Sequence, residues 1–146
     1  MYSFRGLHTA SLDQKGRLNL PSRFRRQFSP ESDDRVVLIK PNLPCLILYP
    51  HDTFTEFEQE ILAKRKGSIA AANKFRKLMS SIDEQKLDKQ GRLLIIQRLQ
   101  ADAGLKKEVI VLGNITHLEI WDPEAFEDFQ QTSDESTEEF LPEFGL

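Results

Sequence analysis

One short phrase occurs twice in this chain of 146 residues, as Leu12-Asp13-Gln14-Lys15-Gly16-Arg17-Leu18 and, 75 positions on, as Leu87-Asp88-Lys89-Gln90-Gly91-Arg92-Leu93. The correspondence runs on past the phrase. Leu20, Arg23 and Phe24 answer Ile95, Arg98 and Leu99; Val36-Val37-Leu38-Ile39 answers Val109-Ile110-Val111-Leu112; Leu46-Ile47-Leu48-Tyr49 with Phe54 and Phe57 answers Leu118-Glu119-Ile120-Trp121 with Phe126 and Phe129. The offset falls to 73 and then 72 over those stretches, as a shorter loop in the second copy requires. A unit used twice restricts the fold to two related halves. Units of about 50 residues bury little surface alone, so the halves are expected to share one core. On this basis the chain divides into a first unit at 5–58, a helical connector at 59–79, a second unit at 80–130 and an acidic tail at 131–146.

Each Asp-x-x-Gly has the chemistry of a tight turn. Asp accepts hydrogen bonds from backbone N–H groups two residues on, and Gly takes the left-handed conformation. Each half is therefore predicted to open with a hairpin, its turn built by Asp13 and Gly16 or by Asp88 and Gly91 and tipped by Gln14-Lys15 or Lys89-Gln90. Alternation in Leu18-Asn19-Leu20 predicts a strand with two unlike faces, whereas Leu93-Leu94-Ile95-Ile96 reads as a more fully buried one. Short helices follow, one starting at Pro21-Ser22 and one closed by Gly104. Further strands are expected at about 36–40, 45–49, 108–113 and 117–121. Thr53-Phe54-Thr55-Glu56 reads as a capping box that starts a helix near 53, Gly67-Ser68 as its break, and 69–81 as a second helix. Asp122-Pro123 starts a last helix. From Thr132 to Glu139 there is no apolar residue, and disorder is expected there. The class is mainly β with helices, α+β.

The net charge of −3 hides a division along the chain. Residues 1–118 hold all 20 Lys and Arg against 13 acids, net +7, while 119–146 hold 10 acids and no base. Residues 1–30 set Arg5, Lys15, Arg17, Arg23, Arg25 and Arg26 against Asp13 alone. Such asymmetry suits a polyanionic partner, although a merely solvated basic face has the same composition. The single cysteine, Cys45, excludes an internal disulfide and reads as a small buried apolar group in a cytosolic protein. No apolar run reaches the length of a membrane span, and no signal-peptide pattern opens the chain.

Enzyme chemistry finds no support. His8, His51 and His117 lack the spacing of a metal-binding pair, no thiolate cluster is possible, and no phosphate-cradling or nucleophile-elbow motif occurs, so no cofactor or metal is expected. Phe54, Phe57, Phe126 and Phe129 sit at helical spacing and read as core. What remains is the basic hairpin. Lys15 and Arg17, with Arg23 on the next helix, can meet phosphates or base edges, since the arginine fork grips either with two hydrogen bonds. Lys89 and Arg92 form the second copy, weakened by Asp83, Glu84 and Asp88. For Arg17 and Arg92 the competing reading is an internal salt bridge to Asp13 and Asp88.

These residues resemble the MraZ family of bacterial transcriptional regulators, which have two SpoVT-AbrB-type domains. The likeness rests on Phe4-Arg5-Gly6; on Leu12-Asp13-x-x-Gly16-Arg17-Leu18-x-Leu20-Pro21-x-Arg23-Phe24-Arg25; on Pro44-Cys45-Leu46-x-Leu48-Tyr49-Pro50; on Leu87-Asp88-x-x-Gly91-Arg92-Leu93-Leu94-Ile95; and on Ala103-Gly104-Leu105-x-Lys107-Glu108-Val109. The second phrase runs into Ile96-Gln97 where the family commonly has proline, and the tail from 132 is not covered. The resemblance implies two AbrB-like swapped-hairpin β units packed as an intramolecular pseudo-dimer barrel, with subunits closed into a homo-oligomeric ring, often of eight. It implies a cytoplasmic, nucleoid-associated repressor that binds short G-rich direct repeats of double-stranded DNA upstream of its own division and cell-wall operon. Arg17 would be the main contact, Lys15 beside it and Arg92 its counterpart. An AbrB-like antitoxin, or an interaction or ring-scaffold module without DNA, are the alternatives.

Overall fold

Apolar residues at every position of 36–39 call for a strand covered on both faces, and the structure supplies two covers. The computed structural model describes residues 2–64 and 69–134. Along the chain run β1 (Phe4–Ser11), β2 (Arg17–Asn19), α1 (Ser22–Arg25), β3 (Arg35–Ile39), β4 (Cys45–Pro50), α2 (His51–Lys64), α3 (Ile69–Ser80), β5 (Asp83–Lys86), β6 (Arg92–Leu94), α4 (Gln97–Asp102), β7 (Glu108–Ile115), β8 (His117–Trp121) and α5 (Pro123–Asp134). Val36 and Leu38 point into the main core with Leu46, Leu48, Val109, Val111, Leu118 and Ile120. Val37 and Ile39 point the other way, against Phe54, Phe57, Leu78 and Met79 of α2 and α3. Period-two alternation thus feeds two apolar layers from one sheet. The fold is α+β and mostly antiparallel.

Six strands form one sheet in the order β1-β7-β8-β4-β3-β5, and β2 pairs with β6 in a separate two-stranded ribbon. Among the described residues the sheet stays open, so the closed barrel expected from the sequence is not formed. The expected hairpins are also not ladders. Beyond the turn only a Leu12–Leu18 bridge joins β1 to β2. β1 then pairs with β7 of the second half, and β5 of the second half pairs with β3 of the first. The registers agree across the repeat. Ser11 opposes Glu108 and Arg35 opposes Lys86, the same pair displaced by the two offsets. Exchanging the halves leaves the strand order unchanged, with Leu18 opposite Leu93 and Ile47 opposite Glu119 at the centres of symmetry. Leu18 and Leu93, both essentially buried, face the core, each contributing about 1.5–3 kcal/mol on transfer from water.

Helix boundaries differ from expectation at two places. α2 starts at His51, so Thr53 lies inside the first turn and is buried rather than capping it. α5 continues to Asp134, past the point where disorder was expected, and its start follows the sequence, with the Ala125 N–H donating to Asp122 Oδ2 at 3.2 Å. The expected break at Gly67-Ser68 and the tail from 135 lie outside the described residues. Phe54 is buried and Phe57 and Phe126 partly so, whereas Phe129 is over a third exposed, with its ring against Trp121. Among the described residues no helix is long and apolar enough to cross a membrane, and no group of three or more His, Cys, Asp or Glu could hold a metal ion.

Candidate nucleic-acid interface

Both copies of the phrase fold into the same turn, atom for atom. Asp13 Oδ1 accepts the backbone N–H groups of Lys15 and Arg17 at 2.9 Å each, and Oδ2 accepts Arg17 Nε–H at 2.7 Å. Asp88 does the same with Gln90 N, Arg92 N and Arg92 Nε at 2.9, 2.9 and 2.8 Å. These donors, the Arg17 and Arg92 backbone N–H groups foremost, hold both carboxyls below their ordinary pKa. Gly16 and Gly91, at φ of +81° and +78°, close the turns in the left-handed region. Each glycine carbonyl is then claimed by the other half. Ile95 N–H donates to Gly16 O at 2.8 Å, and Leu20 N–H to Gly91 O at 3.2 Å. Neither turn is complete without the opposite repeat.

Antiparallel pairing of β2 with β6 sets Arg17 opposite Leu94 and Asn19 opposite Arg92. Opposed residues share a face and alternate residues along a strand do too. With Leu18 and Leu93 buried, Arg17, Asn19, Arg92 and Leu94 occupy the outward face together. Two arginines 75 residues apart in sequence thereby stand about 7 Å apart along the ribbon, the rise of about two residues. Their side chains are 33% and 26% exposed. The internal salt bridge weighed against DNA contact is present in both turns. It engages Nε only; neither arginine makes a hydrogen bond through Nη among the described residues. Asp thus aims the guanidinium and leaves its outer edge, two N–H pairs, for a partner. The two readings were not exclusive.

Of the other expected contacts, Lys15 and Lys89 are exposed on the turn tips, and Arg23 is exposed on α1 with no side-chain bond to the ribbon among the described residues. Four neighbours escaped the sequence reading. Leu94 is half-exposed, contrary to the buried strand expected over 93–96. Asn19 lies beside Arg92. Gln100 leans on the first turn, donating to Ile95 O at 2.6 Å, and a Cβ on Gly16 would stand 2.5 Å from its amide nitrogen. Arg25 occupies the equivalent place on the second turn, where a Cβ on Gly91 would stand 2.6 Å from its Nη1. The offset of 75 pairs Arg25 with Gln100 and Asn19 with Leu94, which was the available signal. The weakness ascribed to the second turn also needs correction. Asp83 and Glu84 are drawn away into β5, paired with Leu38 and Val37, and a guanidinium from the first half takes their place at Gly91.

The family model described as "MraZ protein, putative antitoxin-like" matches this chain twice, over residues 3–77 and 78–141. A transcriptional regulator MraZ of Cutibacterium acnes is 37% identical over 134 residues, 91% of each chain. Proteins of the same name from Yersinia pestis and Idiomarina loihiensis are 36% and 32% identical, covering 96% and 98% of this chain and 95% and 99% of their own length. The boundary between the matched repeats falls between the two turns, where the strand exchange also divides the halves. By both measures the chain belongs to the MraZ family.

Proposed function

We propose that the outward face of the β2–β6 ribbon binds double-stranded DNA and that the chain is a sequence-specific transcriptional regulator. The carrying observation is the pair of Asp-held arginines, Arg17 and Arg92, on one face with their Nη groups unengaged. A two-stranded ribbon fits the major groove, and an arginine fork matches guanine O6 and N7. Lys15, Lys89 and Arg25 at the two tips, with Arg23 on α1, supply positive charge for phosphates. In this reading the units at 5–58 and 80–130 form a swapped-hairpin pseudo-dimer joined by the connector at 59–79, supported by a strand order unchanged on exchange of the halves. The protein works in the cytoplasm on the nucleoid as a homo-oligomeric ring, and represses its own operon through short G-rich repeats. One small ribbon binds weakly; several on repeated sites gain effective concentration.

The test is fluorescence anisotropy of full-length protein on duplexes from upstream of its own coding sequence, against shuffled duplexes, over a salt series. Log affinity is expected to fall linearly with log salt, by about 0.9 per phosphate neutralised, with the native duplex preferred throughout. Equal affinity for native and shuffled duplexes, or affinity indifferent to salt, refutes the proposal.

A further inference from the structure

The symmetry of the halves fails at one place, the outer layer of the sheet. Offsets of 75 and 73 make Leu7 the counterpart of Ile82 and Leu112 that of Ile39. In the first half Ile39 is 2% exposed, packed with Ile82 under Leu78 and Met79 of α3. In the second half Leu7 and Leu112 oppose each other across β1 and β7, on the same face as Ile110, yet Leu7 is 46% exposed. α5 covers that face only as far as Ile110 and Trp121, through Phe126, and Phe129 keeps one side in water. No described helix does for β1 what α3 does for β5. The neighbouring wall is acidic, since α5 carries Glu124, Glu127, Asp128 and Asp134 and no base. Among these acids the described residues give an ion pair only to Glu124, a loose one with Lys106 at 3.8 Å.

The complementary surface lies at the other end of the molecule. The end of α2 and the start of α3 expose Leu62 and Ile69, the latter 84% exposed. The described residues between 61 and 80 include Lys64, Lys74, Arg76 and Lys77, all exposed, and no acid. An apolar point flanked by bases thus matches an apolar strip flanked by acids. They do not meet within one chain. α3 serves the β3–β5 end of the sheet, and β1 and β5 are opposite edges, five strand spacings or about 24 Å apart.

We infer that the Leu7–Leu112 face beside α5 receives the Leu62–Ile69 end of α2 and α3 from a second copy of this chain. The inference rests on the oligomeric part of the reading above and specifies its interface. The contact is head-to-tail, so each copy uses one surface as donor and the other as acceptor, and repetition closes a ring or extends a filament. DNA on the bases of α3, or the chain's own residues 135–146 on the Leu7 face, are the competing occupants.

Sedimentation of Leu7→Glu and Ile69→Glu variants of the full chain, separately and mixed, tests this. Both sites are on the surface, and unchanged thermal transitions confirm folding. Each variant alone is expected to dissociate at a concentration at least tenfold higher than the unaltered chain. An equimolar mixture is expected to give a 1:1 dimer, because one variant keeps the donor end and the other the acceptor face. A second arm reverses charge: Lys74→Glu with Lys77→Glu weakens assembly, and adding Glu124→Lys with Glu127→Lys restores it. Unchanged mass in the single variants overturns the interface while leaving oligomerisation intact. DNA affinity lost at unchanged mass assigns α3 to DNA and overturns it likewise. Removal of 135–146 that reproduces the Leu7→Glu behaviour assigns the face to the tail instead. A chain that is monomeric at every concentration removes the oligomeric reading itself.

Discussion

Arg92→Ala is the substitution on which the sequence and the structure disagree. Local charge along the chain makes Arg92 the poor relation of Arg17, since Asp83, Glu84 and Asp88 are close in sequence. The folded geometry makes the two equal. Nε is held at 2.7 Å in one and 2.8 Å in the other, both are partly exposed, and each leaves two Nη groups for one bidentate contact. One such contact discriminates by about 1–3 kcal/mol, or roughly five- to 150-fold in affinity. Arg92→Ala and Arg17→Ala are therefore expected to weaken operator binding by similar factors within that range, measured by anisotropy at one fixed salt concentration. The salt series then separates the roles. A phosphate contact lowers the slope by about 1 and weakens all sequences alike, whereas a base contact leaves the slope and narrows the preference at one position. Folding should survive, because Asp88 keeps the Gln90 and Arg92 backbone N–H groups. A folded Arg92→Ala protein that binds its operator like the parent, while Arg17→Ala does not, refutes the argument from geometry.

Gly16→Ala forces a side chain into the left-handed region at φ +81° and sets its Cβ 2.9 Å from the Ile95 carbonyl, backbone that cannot step aside. Urea denaturation should show a larger loss than for Gly104→Ala, where nothing lies within 4 Å and only the conformational cost of about 1–2 kcal/mol applies. Asp13 and Asp88 titrate below the ordinary 3.8, so their stabilisation is complete above that pH and lost as pH falls through the lowered folded values. Carboxyl NMR titration should place both midpoints under 3.8, and Asp13→Asn with Asp88→Asn should blunt acid unfolding; midpoints at or above 3.8 contradict the hydrogen-bonded turns. Burial, with Glu119 as a lesser contributor, pushes the Cys45 thiol up to about 12, so iodoacetamide at pH 8 should modify it only at the rate of unfolding. Rapid labelling of the native protein would contradict that burial.

Much of the architecture was legible because two periodicities are strong here. The apolar runs at 36–39 and 109–112 gave β3 and β7, Ile69 to Met79 gave α3, and Asp-x-x-Gly gave both turns with the right acceptors. Pairing was not legible. A turn signal reports only that the chain reverses, not which strand its arms will join, and here β1 and β2 part after one bridge to pair with the other half. Leu94 shows the same limit at one residue. Four apolar residues in a row looked like a buried strand, but the partner across the ribbon is Arg17, and the shared face is the outward one. Charge failed for a related reason: counting neighbours along the chain assigns Arg25 to the first turn, whereas exchange carries it to the second.

That exchange also bears on why the unit is duplicated within one chain. A dimer of two identical units would have to present the same residue on both strands of the ribbon, and its face would read equally in both directions. Covalent joining lifts the requirement. The positions essential to the turn, Asp13 with Asp88, Gly16 with Gly91 and Arg17 with Arg92, stay identical because each half completes the other's turn through a glycine carbonyl. The positions around them have diverged: Asn19 stands against Leu94, and Gln100 against Arg25. The outcome is a face with two equivalent arginines and a direction. At one end an amide can make hydrogen bonds, and at the other an apolar side chain suits a thymine methyl. Such a face distinguishes a short element from its inverted copy, so repeats in one orientation suit copies of this chain joined head to tail.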